Sequence, residues 1–142
     1  MSAESGGPVV VAGIDGSQES KNALRWAVRH TQQLGTLHAV AVWHLPVQFG
    51  YHLPVASESE LEQPAREQLD AAVTELLPEF PDTRVDKHVV RGHPASVLID
   101  YARAADLLVL GNKGRGAFVG MLVGSVALRC VQHAPCPVVV VR

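Results

Sequence analysis

The residues most able to do chemistry lie in one stretch near the carboxyl end. From Gly111 the chain reads GNKGRGAFVGMLVGS, with glycine at 111, 114, 116, 120 and 124 and Ser125 closing the run. Glycine loses more conformational freedom on folding than any other residue, so a cluster of it needs a reason. One reason is a plain connection whose glycines fit turns and a helix cap. The other is a backbone that must approach a flat ring or a phosphate without a Cβ in the way. Gly124 and Ser125 return the chain to a helix start, where unpaired N–H groups and the helix dipole favour an anion. Lys113 and Arg115 add cationic charge, either to screen phosphate or simply to be solvated.

The familiar phosphate cradles do not fit. No GxxxxGK[ST] is present, and GxGxxG read from Gly114 and Gly116 fails because Val119 stands where the third glycine belongs. A receiver-type acidic site has Asp15 but no acceptor aspartate at Arg91-Gly92. Cys130 and Cys136 are too few and too widely spaced for a zinc site or a CxxC pair, and read as two buried thiols in a reducing compartment. The seven histidines show no metal-ligand spacing.

The elements that must position this loop follow from composition and pattern. The chain has 142 residues, 47% hydrophobic and 18% charged, which fits one domain over 1–142 with a real core. The formal net charge is -2 with no basic block, which argues against a nucleic-acid surface. No apolar run approaches the ~18 residues of a membrane span. MSAESGG has neither a basic nor an apolar leader region, so the expectation is a soluble cytoplasmic protein with residues 1–7 flexible.

PVVVAGID (Pro8 to Asp15) is a valine-rich apolar run, the mark of a strand buried on both faces. Ser17 is a candidate N-cap with Glu19 in the first turn. Ala23, Leu24, Ala27, Val28, Thr31 and Leu34 continue with helical spacing, and Gly35 is the expected stop. TLHAVAVW (Thr36 to Trp43) is a second strand. His44 to Ser57 has no period and reads as a long surface loop. Ser57 and Glu60 have capping-box spacing before a helix carrying Leu61, Ala65, Leu69, Ala72, Val73, Leu76 and Leu77, ended by Pro78 and Pro81. Pro64 leaves the start of that helix open.

RVDKHVVRG (Arg84 to Gly92) is a more polar strand, suited to an edge. Pro94 opens a third helix through Val97, Leu98, Tyr101, Ala102 and Ala105. DLLVLG (Asp106 to Gly111) is the fourth strand, Ser125 to His133 the fourth helix, and CPVVVVR the last strand. Strict alternation implies parallel strands, right-handed crossovers and helices on both faces of one open, doubly wound α/β sheet. In that architecture ligands bind beyond the carboxyl ends of the strands. Asp15, Trp43-His44, Gly92-His93 and the glycine loop all fall there.

The spacing Gly111-x2-Gly114-x9-Gly124-Ser125 resembles the G-x2-G-x9-G-[S/T] motif of the universal stress protein family, in its nucleotide-binding branch. VVVAGIDGS, AVAVWH, RGHPASVLIDYA and CPVVVV extend the similarity over essentially the whole chain. The resemblance implies a Rossmann-like, adenine nucleotide hydrolase-like sheet of five strands in order 3-2-1-4-5. It implies ATP as ligand, with Mg2+ or Mn2+ held by the phosphates. Gly114, Gly124, Ser125 and the N–H of Val126 would hold the phosphates, with Arg115 screening their charge. Gly111 would lie near the adenosine, Asp15 would contact the ribose, the Val42 backbone would read the adenine edge and Gly13 would line the floor.

Plainer readings stand beside these. Asp15 caps a helix, Val42 is core, His93 is a helix N-terminal residue, Ser125 is itself a cap, and Trp26 and Trp43 pack. No base with a convincing partner is visible. The leading expectation is therefore an ATP-binding regulator of the stress response, in which binding orders the glycine loop and the loop from Pro46 to Ser57. A weak ATPase or nucleotide-dependent transferase is the first alternative, and an assembly module that binds no nucleotide is the second. The family's strand order puts the valine-rich last strand at a sheet edge, and the resemblance implies a homodimer along it.

Overall fold

The computed structural model describes residues 7–31, 35–45, 57–114 and 122–142. The expectations for residues 1–6, Leu34, the loop from Pro46 to Ala56 and Arg115 lie outside them. The elements are β1 (Val9–Ile14), α1 (Gln18–Thr31), β2 (Thr36–Trp43), α2 (Glu58–Leu76), β3 (Val85–Arg91), α3 (Pro94–Ala102), β4 (Leu107–Gly111), α4 (Ser125–His133) and β5 (Val138–Val141). The strands form one sheet in the order β3-β2-β1-β4-β5, and every neighbouring pair is parallel. The sheet grows outward in both directions from β1, so the strand order reverses between β1 and β4.

The period-2 alternation of the strands splits the core in two. Val10, Ala12 and Ile14 of β1 face Leu24 and Val28 of α1 and Leu69 and Leu76 of α2. Val11 of β1 and Val40 of β2 face Leu98 of α3 and Ala127 and Cys130 of α4 on the other side. Each fully buried leucine among these contributes roughly 1.5–3 kcal/mol over its exposed state. Trp43 is buried in the first cluster and Trp26 packs against it. Cys130 is buried, and burial raises its thiol pKa to about 11; Cys136, expected to be buried, is only half-buried. Among the described residues no helix is long and apolar enough to cross a membrane.

Local chemistry explains the element ends. Ser17 Oγ accepts from the Ser20 amide at 3.1 Å, the expected cap of α1. Ser57 Oγ accepts from the Glu60 amide at 3.4 Å, while the Glu60 carboxylate takes the Ser57 hydroxyl and not its backbone N–H. α2 begins at once after Ser57 and runs through Pro64, which lies in its second turn. α3 stops at Ala102, and Ala105 belongs to the following turn, its amide donating to the Ala102 carbonyl. Gly35 is not a left-handed cap. A Cβ there would run into the Pro8 carbonyl, whose oxygen accepts from the Thr36 amide at 2.9 Å, so glycine is needed for close passage of β1.

Exposed ion pairs join α1 to α2 through Lys21–Glu75 at 3.2 Å and to the turn after α2 through Arg25–Glu79 at 2.6 Å, and Lys87–Asp70 at 2.8 Å ties α2 to the polar edge β3. Solvent screening leaves each worth about 0–1 kcal/mol. A less ordinary contact lies between β2 and β3. His38 Nδ1 and His88 Nε2 are 2.9 Å apart, so one ring's N–H donates to the bare nitrogen of the other. Tyr101 of α3 meets the His88 ring edge-on, with centroids 5.3 Å apart.

Burial is the main force lowering the His88 pKa, the neighbouring charge of His38 adds to it, and Asp86 opposes both. Because the folded pKa is depressed, the unfolded chain binds more protons between that value and the ordinary ~6.5. The contribution of His88 is therefore complete above that ordinary value and is lost as pH falls below it. The urea midpoint should fall between pH 7.5 and pH 5.5, and His88→Asn should flatten that part of the profile. A variant with an unchanged slope removes His88 as its source.

Candidate functional site

At the carboxyl end of the sheet, beside the reversal of strand order, lies a cavity of ≈ 510 Å³. This is the size range of small-molecule sites. Gly13, Val40, Val42, Leu98 and Leu110 give it an apolar floor, and Asp15, Lys113, Ser125, His44 and Gln68 give it a polar rim. Gly13, Asp15, Val42, Gly111, Gly114, Gly124, Ser125 and Val126 all line this one space. Sequence reasoning assigned no role to Gln68, which α2 brings in from the middle of a polar helix face. His44 was visible only as a residue at a strand end.

The glycine loop is held at both ends by Asn112. Its amide donates to the Val141 carbonyl at 2.7 Å, and its carbonyl accepts from the Gly124 amide at 2.6 Å. Its side-chain Nδ2 donates to the Leu122 carbonyl at 3.1 Å. The end of β4, the end of β5 and the start of α4 thus meet on one residue. No sequence signal marked Asn112, because its role lies in which carbonyls the fold brings to it.

α4 starts with Gly124 as N-cap, in extended conformation, and among the described residues no side chain caps the helix. Ser125 is the first helical residue and not the N-cap. The amides of Ser125, Val126 and Ala127 have no intrahelical acceptor, as in any first turn, and these residues line the cavity. Such a terminus is suited to an anion.

Asp15 follows β1 and lines the cavity, while its carboxylate also makes local bonds. Its Oδ1 accepts from the Ser17 amide at 2.9 Å and from the Ser17 hydroxyl, bracing the turn into α1. Its Oδ2 packs against Gly114, where any Cβ would collide with it. The carboxylate therefore stands beside the loop as well as beside the strand end. Val42 packs at the edge of the second core cluster as well as lining the cavity. His93 is the N-cap of α3, as its plainer reading expected.

Two glycines serve packing more directly than ligand approach. A Cβ on Gly111 would lie 2.7 Å from the Glu19 backbone in the first turn of α1. A Cβ on Gly13 would lie 2.8 Å from Leu110 Cδ2 and 3.1 Å from Leu98 Cδ1. Helix backbone cannot move as side-chain methyls can. Gly111→Ala should therefore cost about 1–3 kcal/mol in urea unfolding, and Gly13→Ala less. Equal losses, or none at Gly111, would contradict this account of α1 packing.

The sequence pattern of the universal stress protein family matches residues 8–142. A universal stress protein of Mycolicibacterium smegmatis is 38% identical over 135 residues, covering 94% of this chain and 45% of the relative. The chain thus spans less than half the length of this relative. The fold is similar to that of a universal stress protein solved in complex with cAMP, with TM-score 0.74, 22% identity and coverage of 97% and 99% of the two chains. It is also similar to an Arabidopsis thaliana family protein with AMP bound, with TM-score 0.62, 20% identity and coverage of 94% and 90%. The motif residues, the strand order and these similarities agree: the chain belongs to the universal stress protein family.

Proposed function

We propose that this chain binds an adenine nucleotide, ATP foremost, in the cavity at the carboxyl end of β1 and β4, and acts as a nucleotide-dependent regulator in the stress response. The observation that carries the reading is the convergence of the motif on a single space. Gly114, Gly124, Ser125 and Val126 line it beside the start of α4, together with Gly13, Asp15 and Val42. Solved relatives with cAMP and AMP support an adenine ligand.

In this reading the α4 amides and the Ser125 hydroxyl donate to phosphate oxygens. Asp15 accepts from a ribose hydroxyl, a better partner for a carboxylate than phosphate. The backbone of Val42 pairs with the adenine edge over the apolar floor, and Gly111 lies alongside the adenosine. Mg2+ or Mn2+ would bridge phosphate oxygens and depend mainly on the ligand. Regulation in place of turnover fits Asp15, whose carboxylate is engaged with Ser17 and Gly114. The reading includes a cytoplasmic protein, consistent with two free cysteines. It also includes a homodimer along β5. Four valines form that sheet edge, and Leu128 and Val131 of α4 are 48% and 52% exposed.

ATP at about 100 times its Kd should add about 2.7 kcal/mol of stability, read as a rise in Tm of several degrees. Gly124→Val should remove that rise and leave a cooperative melt, because the backbone at 124 is extended and accepts a side chain while the cavity mouth does not. No shift with ATP, AMP or cAMP would refute the nucleotide reading. Sedimentation at micromolar concentration should give a dimer, and a monomer there would refute the assembly.

A further inference from the structure

We infer that His38 and His88 form an acid-sensitive pair that holds α3 against the sheet and makes nucleotide binding weaken in acid; the second half of this rests on the nucleotide reading above. The register sets His38 opposite Asp86 and His88 opposite Val40, so all four project from the same face of β2 and β3, the face that α3 covers. His38 Nδ1 and His88 Nε2 stand 2.9 Å apart, a contact that holds one proton. In the neutral pair one ring's N–H fills it. One added proton leaves the bond in place, because a charged ring still donates to the neutral one. Asp86 Oδ2, 3.8 Å from His38 Nδ1, faces that charge. A second added proton puts an N–H on both facing nitrogens. No acceptor remains between them, two like charges meet, and the rings must part.

Parting the rings acts on α3. Besides Asp86, the ionisable group facing the pair is Tyr101 of α3, whose ring meets His88 edge-on. Asp100 and Arg103 at the end of α3 pair with each other at 3.4 Å. Lys87 of β3 points to the opposite face, paired with Asp70 of α2, and β1 presents apolar Val11 on this one. α3 has nine residues and no side-chain bond at its N-cap, so packing holds it in place. One turn before Tyr101, Leu98 lines the cavity, as do Pro94 at the start of the helix and Val40, the cross-strand partner of His88. The pair and the cavity therefore bear on the two ends of one short helix. Burial first and the charge of His38 second hold the His88 pKa down against the pull of Asp86, so the second proton arrives only below the ordinary ~6.5. A form with α3 loosened takes that proton without the penalty, and falling pH shifts the population toward it.

The test compares the wild-type chain with His88→Gln and His38→Gln, each first shown to melt cooperatively at neutral pH. Glutamine keeps a hydrogen-bonding group in either place and takes no proton. The remaining histidine, once charged, donates to the glutamine carbonyl oxygen, so neither variant has the acid step. Hydrogen-exchange protection of the α3 amides, corrected for the intrinsic pH dependence of exchange, should fall about tenfold from about pH 7.5 to about pH 5 in the wild type and stay level in both variants. Over the same range, calorimetry should show ATP affinity falling about fivefold further in the wild type than in either variant. Protonation of ATP itself, of His44 and of His93 acts alike in all three chains, so that difference belongs to the pair. If His38→Gln keeps the wild-type loss of protection, burial of His88 alone is the cause and the inference falls. If ATP binds all three chains with one pH profile, α3 does not carry the state of the pair to the cavity, and the inference falls while the nucleotide reading stands. If no nucleotide binds at any pH, the nucleotide reading fails, and exchange alone still decides the hold of the pair on α3.

Discussion

Two carbonyls and one amide converge on Asn112, and the cavity depends on that convergence. The residue leaves β4 with its own amide bonded to the last residue of β5, returns its carbonyl to Gly124, and uses its side chain to hold Leu122. These bonds fix where α4 begins relative to the sheet. A helix start moved by even one residue would point other amides into the cavity. Any gain from preorganised N–H donors comes from this fixing, because a loosely held loop would have to lose its freedom on binding.

The site is built across both halves of the core. α1 packs on one face of the sheet and α4 on the other, and the cavity lies at the carboxyl end of the sheet. Gly111 allows α1 to pass close to β4, and Gly13 allows Leu98 and Leu110 to close over β1. Both are needed for the floor to exist before any ligand is considered. Packing and recognition therefore act on the same positions, and a substitution there disturbs the scaffold together with the site.

Asp15 is the one carboxylate among the described residues that line the cavity. Asp15 braces the turn into α1 through one oxygen and lies against Gly114 through the other. It cannot be removed without loosening the turn, and while present it disfavours an anion nearby. The exposed ion pairs between α1 and α2, by contrast, stand in high dielectric and contribute little. Electrostatics therefore matters most at the sheet's carboxyl end, where apolar Val40, Leu98 and Leu110 lower the local dielectric.

Much of this molecule could be read from residue order. The all-apolar run Val9–Ile14 needs helices on both faces, and Ser17 and Ser57 start helices because their hydroxyls reach nearby amides. The polar β3 and the valines of β5 fit the two edges they occupy. The glycine spacing singled out a loop whose described residues line the cavity, with Gly111 and Gly114 at approaches too close for a Cβ. Gly35 was expected as a helix stop and Gly111 as a ligand neighbour, and at both the need for glycine also has a packing cause. The atoms that exclude a side chain there belong to Pro8 and Glu19, distant in sequence. Likewise, nothing local distinguishes Asn112 or Gln68 from other polar residues. Short-range patterns of polarity and shape fix which segments become strands and helices. Which backbone meets which side chain across the top of the sheet is decided only when those segments pack.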